Sequence, residues 1–158
     1  MKIMFEKFFP DEYLGSTYKI PFEKLYEQGY RGVIFDIDNT LVPHGAPADE
    51  RAKRLFQRLR EIGFESCLLS NNQKKRVEMF NQEIQTHYIY NALKPARKNY
   101  LHAMEIMGTD QANTLFVGDQ LFTDVWGAKR VGIHNILVHP INPDRFKAVF
   151  GEDCASFL

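Results

Sequence analysis

Short apolar runs alternate along the chain with segments of helical period. The runs are V-I-F-D-I at 33–37, C-L-L-S at 67–70, a weaker Y-I-Y at 88–90, L-F-V-G at 115–118 and I-L-V at 136–138. Each is short and apolar on successive positions, as strands covered on both faces must be. Between the runs, apolar residues recur three and four apart. Phe22, Leu25 and Tyr26 mark a short helix over 22–28, entered at Pro21 and ended at Gly29. Ala52, Leu55, Phe56, Leu59 and Ile62 mark one over 48–62, closed by Gly63. Val77, Phe80 and Ile84 mark one over 74–84, and a helix opened by Pro95 carries Tyr100, Leu101, Met104 and Met107 up to Gly108. A shorter segment, 123–131, ends before Gly132. The alternation predicts an α/β fold around a five-stranded, mainly parallel sheet.

The 158 residues predict a single domain, 1–158, with a 1–30 extension packed on the core or on a partner and a weakly patterned tail over 140–158. In that tail Pro140 and Pro143 break the pattern, and Phe146, Val149 and Phe150 are suited to dock one turn of helix. Lys+Arg and Asp+Glu balance at 20 each, which argues against a nucleic-acid coat. No apolar stretch approaches the ~18 residues of a membrane span. Glu6 and Lys7 interrupt the apolar start, so no secretory signal is expected. Cys67 and Cys154 lack metal-ligand spacing, and a reducing, cytoplasmic compartment is expected.

Candidate chemistry collects at the C-terminal ends of these strands, the edge where open parallel sheets bind ligands. Asp36, Asp38 and Thr40 close the first run in F-D-I-D-N-T. Two such carboxylates could hold a hard cation or divide the work of nucleophile and general acid/base. They could equally be loop acids, Asp38 forming a turn. Ser70, with Asn71 and Asn72, follows the second run, suited to an anionic oxygen or to capping a helix. Lys94 precedes a helix start, where a cation is misplaced unless an anion lies nearby. Gly118, Asp119, Thr123 and Asp124 follow the fourth run, with Thr123 a natural helix N-cap.

In this order the four features resemble the haloacid dehalogenase (HAD)-like phosphatases. Asp36-Ile37-Asp38-Asn39-Thr40 is similar to DxDxT, Ser70 and Lys94 to the second and third motifs, and Gly118 through Asp124 to GDxxxTD. The wording D-x-D-N-T-L-V, S-N-N and G-D-Q-x-x-T-D, with F-x-P-D-E-Y near the start, resembles the YqeG-type branch of subclass IIIA. The resemblance implies a three-layer Rossmann-like fold with helices on both faces of the sheet. Asp36 would be the nucleophile, and Asp38 the general acid and then base, a double task that leads one to expect a raised pKa. Ser70 and the Asn71 N–H, with Thr40, would serve the substrate side, and Lys94 would neutralise Asp36 and phosphate. Mg²⁺ would be held by Asp36, the Asp38 carbonyl and Asp119, with Asp124 orienting a water of the ion. Asp36, Asp119 and Asp124 bring three negative charges against one on Lys94, so a divalent cation is needed to admit phosphate.

The intervals from Asp38 to Ser70 and from Ser70 to Lys94 hold a loop, helices and strands but no cap domain, so an open site is expected. Capless relatives act on large substrates or borrow a lid from another subunit. The branch is similar to phosphatidylglycerophosphate phosphatases, which implies a lipid phosphate monoester. Lys2, Ile3, Met4, Phe5, Lys7, Phe8 and Phe9 suit peripheral contact at the inner face of a membrane, or packing on the sheet or a second copy. The alternatives are a soluble-metabolite phosphatase with a lid from a homo-oligomer, and a non-catalytic scaffold, which would need none of the acids. His44 reads as an exposed loop residue, Arg97 as a solvated helix position and Trp126 as core or interface. His134 and His139 are too isolated for metal ligands.

Overall fold

A computed structural model describes residues 6–142. The expected contributions of Ile3, Met4, Phe5, Phe146, Val149, Phe150 and Cys154 lie outside them. One sheet carries six strands, all paired in parallel, in the order β1-β6-β5-β2-β3-β4. They are β1 (Glu12–Leu14), β2 (Gly32–Phe35), β3 (Glu65–Leu69), β4 (His87–Ile89), β5 (Thr114–Gly118) and β6 (His134–Val138). The one strand beyond the five expected is β1, which pairs Tyr13 with Leu137 at the sheet's edge. E-Y-L is too short to show an alternation.

Side chains of successive strand residues point to opposite faces, and the core divides accordingly. Val33, Phe35, Leu68, Leu115 and Val117 face one cluster, under α1 (Phe22–Glu27), α2 (Glu50–Ile62) and α3 (Lys74–Ile84). Ile34, Cys67, Leu69 and Phe116 face the other, under α4 (Arg97–Met107) and α5 (Gly127–Arg130). Burial on that side pushes the Cys67 thiol up to about 12, an inert core residue. The inward stripe of α4 is Tyr100, Ala103, Met104 and Met107; Leu101, expected inside, faces solvent.

The helix expected over 123–131 starts earlier. A π-type turn, Leu121–Trp126, follows β5 and runs into α5. Thr123 lies inside that turn and its hydroxyl donates to Gln120 Oε1 at 2.7 Å, so it is not the N-cap. The intervals between the motifs hold only loops, α2 with β3, α3 with β4, and α4 with β5, so among the described residues no cap domain is inserted between them. Among the described residues no helix is long and apolar enough to cross a membrane.

Candidate active site

The sheet runs outward from β2 in both directions, through β3 to β4 and through β5 to β6. The carboxyl ends of β2 and β5 therefore flank the switch point of a doubly wound sheet, where a cleft opens. Asp36 continues β2 there, its N–H donating to Val117 O at 3.0 Å. Asp119 follows β5 directly, and Asp124 returns to the same place from the π-type turn. Ligand oxygens of these three carboxylates all lie within 4.8 Å of one another. Gly118 makes the approach possible: a Cβ there would stand 2.5 Å from the Asp124 carboxylate carbon.

Lys94 enters from the loop after β4. Its Nζ donates to Asp36 Oδ1 at 3.0 Å and to Asp124 Oδ1 at 2.7 Å. The cation at a helix start thus has the anions its position demands. Burial alone would push the ammonium down, but Asp124 and Asp36 outweigh it and hold it charged, above its ordinary value. One ammonium does not balance three acids. Burial, then the charges of Asp36 and Asp124, raises the Asp119 carboxyl well above its usual range. Burial likewise pushes Asp124 up to about 6, against the pull of Lys94. Crowded, desolvated and all oxygen-donating, the trio suits a hard divalent cation.

Thr40 is buried between these acids, its hydroxyl 3.4 Å from Asp36 Oδ2 and 3.2 Å from Asp119 Oδ1. It is placed to orient these carboxylates. The N-terminal segment supports this loop: Thr17 donates to Thr40 O at 2.8 Å and Tyr18 to Leu41 O at 2.6 Å. Ser70 is buried after β3, its Oγ accepting from Asn72 N–H at 3.0 Å, which leaves the hydroxyl hydrogen to donate. The Asn71 side chain grips the Lys94 backbone both ways, accepting from its N–H at 2.7 Å and donating to its carbonyl at 3.1 Å. Asn71 therefore positions Lys94, a contact the sequence did not suggest.

Asp38 lies in a neighbouring cluster. Its Oδ1 accepts from Gly45 N–H at 2.7 Å and from Arg76 Nη2 and Nε at 2.8 and 3.2 Å. Its Oδ2 is 3.4 Å from Asn72 Nδ2, and His44 Nδ1 stands 3.9 Å away. Burial pushes this carboxyl up, but Gly45, Arg76 and His44 together outweigh it and hold the pKa below the ordinary carboxylate value. The expected upward shift is thus reversed, first by the Gly45 N–H and then by Arg76. In sequence Arg76 reads as part of the solvated K-K-R start of α3. Its position, four before Phe80 and eight before Ile84, was the available sign that it faces inward. Arg97 is exposed, as expected, and Trp126 is half-buried, in contact with Phe8 and Phe122. His134 pairs with Glu12 at 2.7 Å.

Known proteins resemble this chain in sequence and in fold. A family model described as HAD-hydrolase-like matches residues 91–140. The chain is 39% identical over 140 residues to the Bacillus subtilis protein named "Probable phosphatase YqeG", covering 87% of this chain and 81% of that one. It is 26% identical over 139 residues to the Arabidopsis thaliana phosphatidylglycerophosphate phosphatase 1, chloroplastic/mitochondrial, covering 78% of this chain but 38% of that protein's length. Among solved structures, an uncharacterized protein from Listeria monocytogenes shares the fold at TM-score 0.58 and 19% identity, over 72% of this chain and 80% of the other. A HAD phosphatase from Thermococcus onnurineus does so at TM-score 0.52 and 15% identity, over 77% of this chain and 98% of the other. With the ordered acids, the central lysine and the switch-point cleft already in place, the chain belongs to the HAD-like phosphatases.

Proposed function

We propose that the chain is a Mg²⁺-dependent phosphomonoesterase that works through an aspartyl-phosphate on Asp36, in an open site, with a lipid phosphate such as phosphatidylglycerophosphate as substrate. The observation that carries the mechanism is Lys94 bridging Asp36 and Asp124 beside Asp119. A buried cluster of this charge is poised to accept a cation and a phosphate together. Asp36 attacks phosphorus in line, and the bond to the leaving oxygen breaks as the bond to Asp36 forms. A phosphate ester bound as its monoanion brings a proton to Asp38, which passes it to that oxygen and then takes one from the water that releases phosphate from Asp36. Ser70 and the Asn71 N–H hold phosphoryl oxygens, Lys94 offsets their charge, and Thr40 fixes the Asp36 carboxylate. A bound Mg²⁺, held by Asp36, Asp119 and Asp124 and the Asp38 carbonyl, would supply further electrostatic stabilisation of the transferring phosphoryl group.

The lipid reading is supported by the named activity of the Arabidopsis relative and by the site's surroundings. Leu93, next to Lys94, is 73% exposed, and Phe122, between Asp119 and Asp124, is 50% exposed. Phe9 is 58% exposed, so part of the N-terminal segment remains available to a bilayer, whereas Phe8 packs against Trp126. These apolar groups suit an interfacial substrate. Hydrolysis of p-nitrophenyl phosphate with and without Mg²⁺, repeated with Asp36→Asn, tests the chemistry. Loss of turnover in both controls is expected, and activity retained by Asp36→Asn would refute the nucleophile. Phosphatidylglycerophosphate in mixed micelles, against a panel of soluble esters, tests the substrate. Turnover confined to soluble esters would replace the lipid by a metabolite.

A further inference from the structure

Arg76 belongs to none of the four motifs, yet it is the group that grips Asp38 most fully. Two of its nitrogens converge on one carboxylate oxygen, and its side chain is only 9% exposed. The third nitrogen, Nη1, is buried and has no acceptor among the described residues. A buried donor left unpaired carries a desolvation cost, so a guanidinium kept here for stability alone would be a poor choice. The other contacts to Asp38 come from the neutral Gly45 N–H and Asn72 amide, and from His44 at longer range. Arg76 alone combines a fixed charge with two donors, on a rigid helix.

We propose that Arg76 is the positioning residue for proton transfer to the leaving group, an inference that rests on Asp38 being the general acid and base. As the bond from phosphorus to the leaving oxygen breaks, the Asp38 proton passes to that oxygen and Asp38 becomes a carboxylate. Arg76 and Gly45 both hold Oδ1, which leaves Oδ2 to carry the proton, and Arg76 fixes the direction in which Oδ2 meets the leaving oxygen. In the second half-reaction the same carboxylate, still oriented, takes a proton from the attacking water while the bond from phosphorus to Asp36 breaks.

The requirement for a proton depends on the leaving group, which gives a readout that a merely structural role would not move. Nitrophenolate departs readily without a proton, whereas phenolate needs one. In a series of aryl phosphates, Arg76→Ala and Arg76→Gln are expected to lower kcat for phenyl phosphate by about 10²-fold and for p-nitrophenyl phosphate by about 3-fold or less, with KM little changed. Arg76→Lys keeps the charge and loses the paired donors, so its leaving-group dependence should fall between these variants and the wild type. If the larger truncations do not fold, this variant decides the question. Asp38→Asn supplies the reference. A leaving-group dependence in Asp38→Asn no steeper than in the wild type would remove the general-acid reading itself. A steep dependence in Asp38→Asn, with all Arg76 variants parallel to the wild type or uniformly slowed, would remove the inference about Arg76 alone.

Discussion

Gly118→Ala is the smallest change that should open the charge cluster. Gly118 lies in β5 outside the left-handed region, so what it supplies is space rather than backbone freedom. An added Cβ would stand 2.5 Å from the Asp124 carboxylate carbon and Oδ2 and 2.7 Å from its Cβ. Carbon contacts settle near ~3.5–4.0 Å, so Asp124 must retreat by about 1 Å. It cannot turn freely, because Lys94 holds Oδ1 at 2.7 Å and the Gln120 N–H holds Oδ2 at 3.1 Å. Overpacking of this kind costs about 1–3 kcal/mol. In a domain of this size that corresponds to a fall in Tm of roughly 2–4 °C per kcal/mol. The functional effect should be larger, since a 1 Å misplacement can cost about 10²-fold in rate. The assay is Mg²⁺ activation of p-nitrophenyl phosphate hydrolysis beside a thermal melt. A folded Gly118→Ala protein with wild-type kcat and a wild-type Mg²⁺ requirement would show that Asp124 has no part in the site.

Lys94→Met strands buried carboxylates, which typically costs about 3–5 kcal/mol; Mg²⁺ should restore much of the Tm but none of the turnover, and an unchanged melt would contradict the charge balance drawn here. The pH dependence follows from Asp119 and Asp124. Their folded pKa values lie above the unfolded value, so they favour the fold below about pH 4, and that contribution is lost as pH rises through about 6 for Asp124. Asp38, with a lowered pKa, works the other way and loses its contribution as pH falls. Added Mg²⁺ should therefore raise Tm more near neutral pH than near pH 5, and an equal gain at both would count against carboxylate ligation. Thr17→Val removes the hydrogen bond to Thr40 O without changing side-chain shape; a loss of about 1–3 kcal/mol in denaturant unfolding is expected, and a neutral outcome would mean that the N-terminal segment does not support the motif loop.

The central strands were legible in the sequence because both their faces are buried, which makes V-I-F, C-L-L and L-F-V stand out as unbroken apolar runs. The edge strand Glu12–Leu14 has only three residues and a partly exposed surface, so no pattern could announce it. Leu101 is apolar, but successive helical residues point in different directions, so it turns outward beside Tyr100 while Ala103, one turn on, shares the buried face. The site acids were visible because an apolar strand has no packing use for a carboxylate at its end. Their separation into a cation-holding trio and a clamped Asp38 was not visible. It depends on Arg76 crossing from α3 and on Thr17 reaching Thr40 from the N-terminal segment, contacts between residues 38 and 23 positions apart respectively. Hydrophobic period carries no record of such polar contacts.

Covalent catalysis by Asp36 is decided by where phosphorus goes. In an acid-quenched single turnover with Mg²⁺ and substrate, followed by peptide mass mapping, the predicted result is phosphate on the peptide containing Asp36, and none in Asp36→Asn. Turnover with no labelled peptide under conditions that preserve acyl phosphates, or a label on another residue, would contradict it.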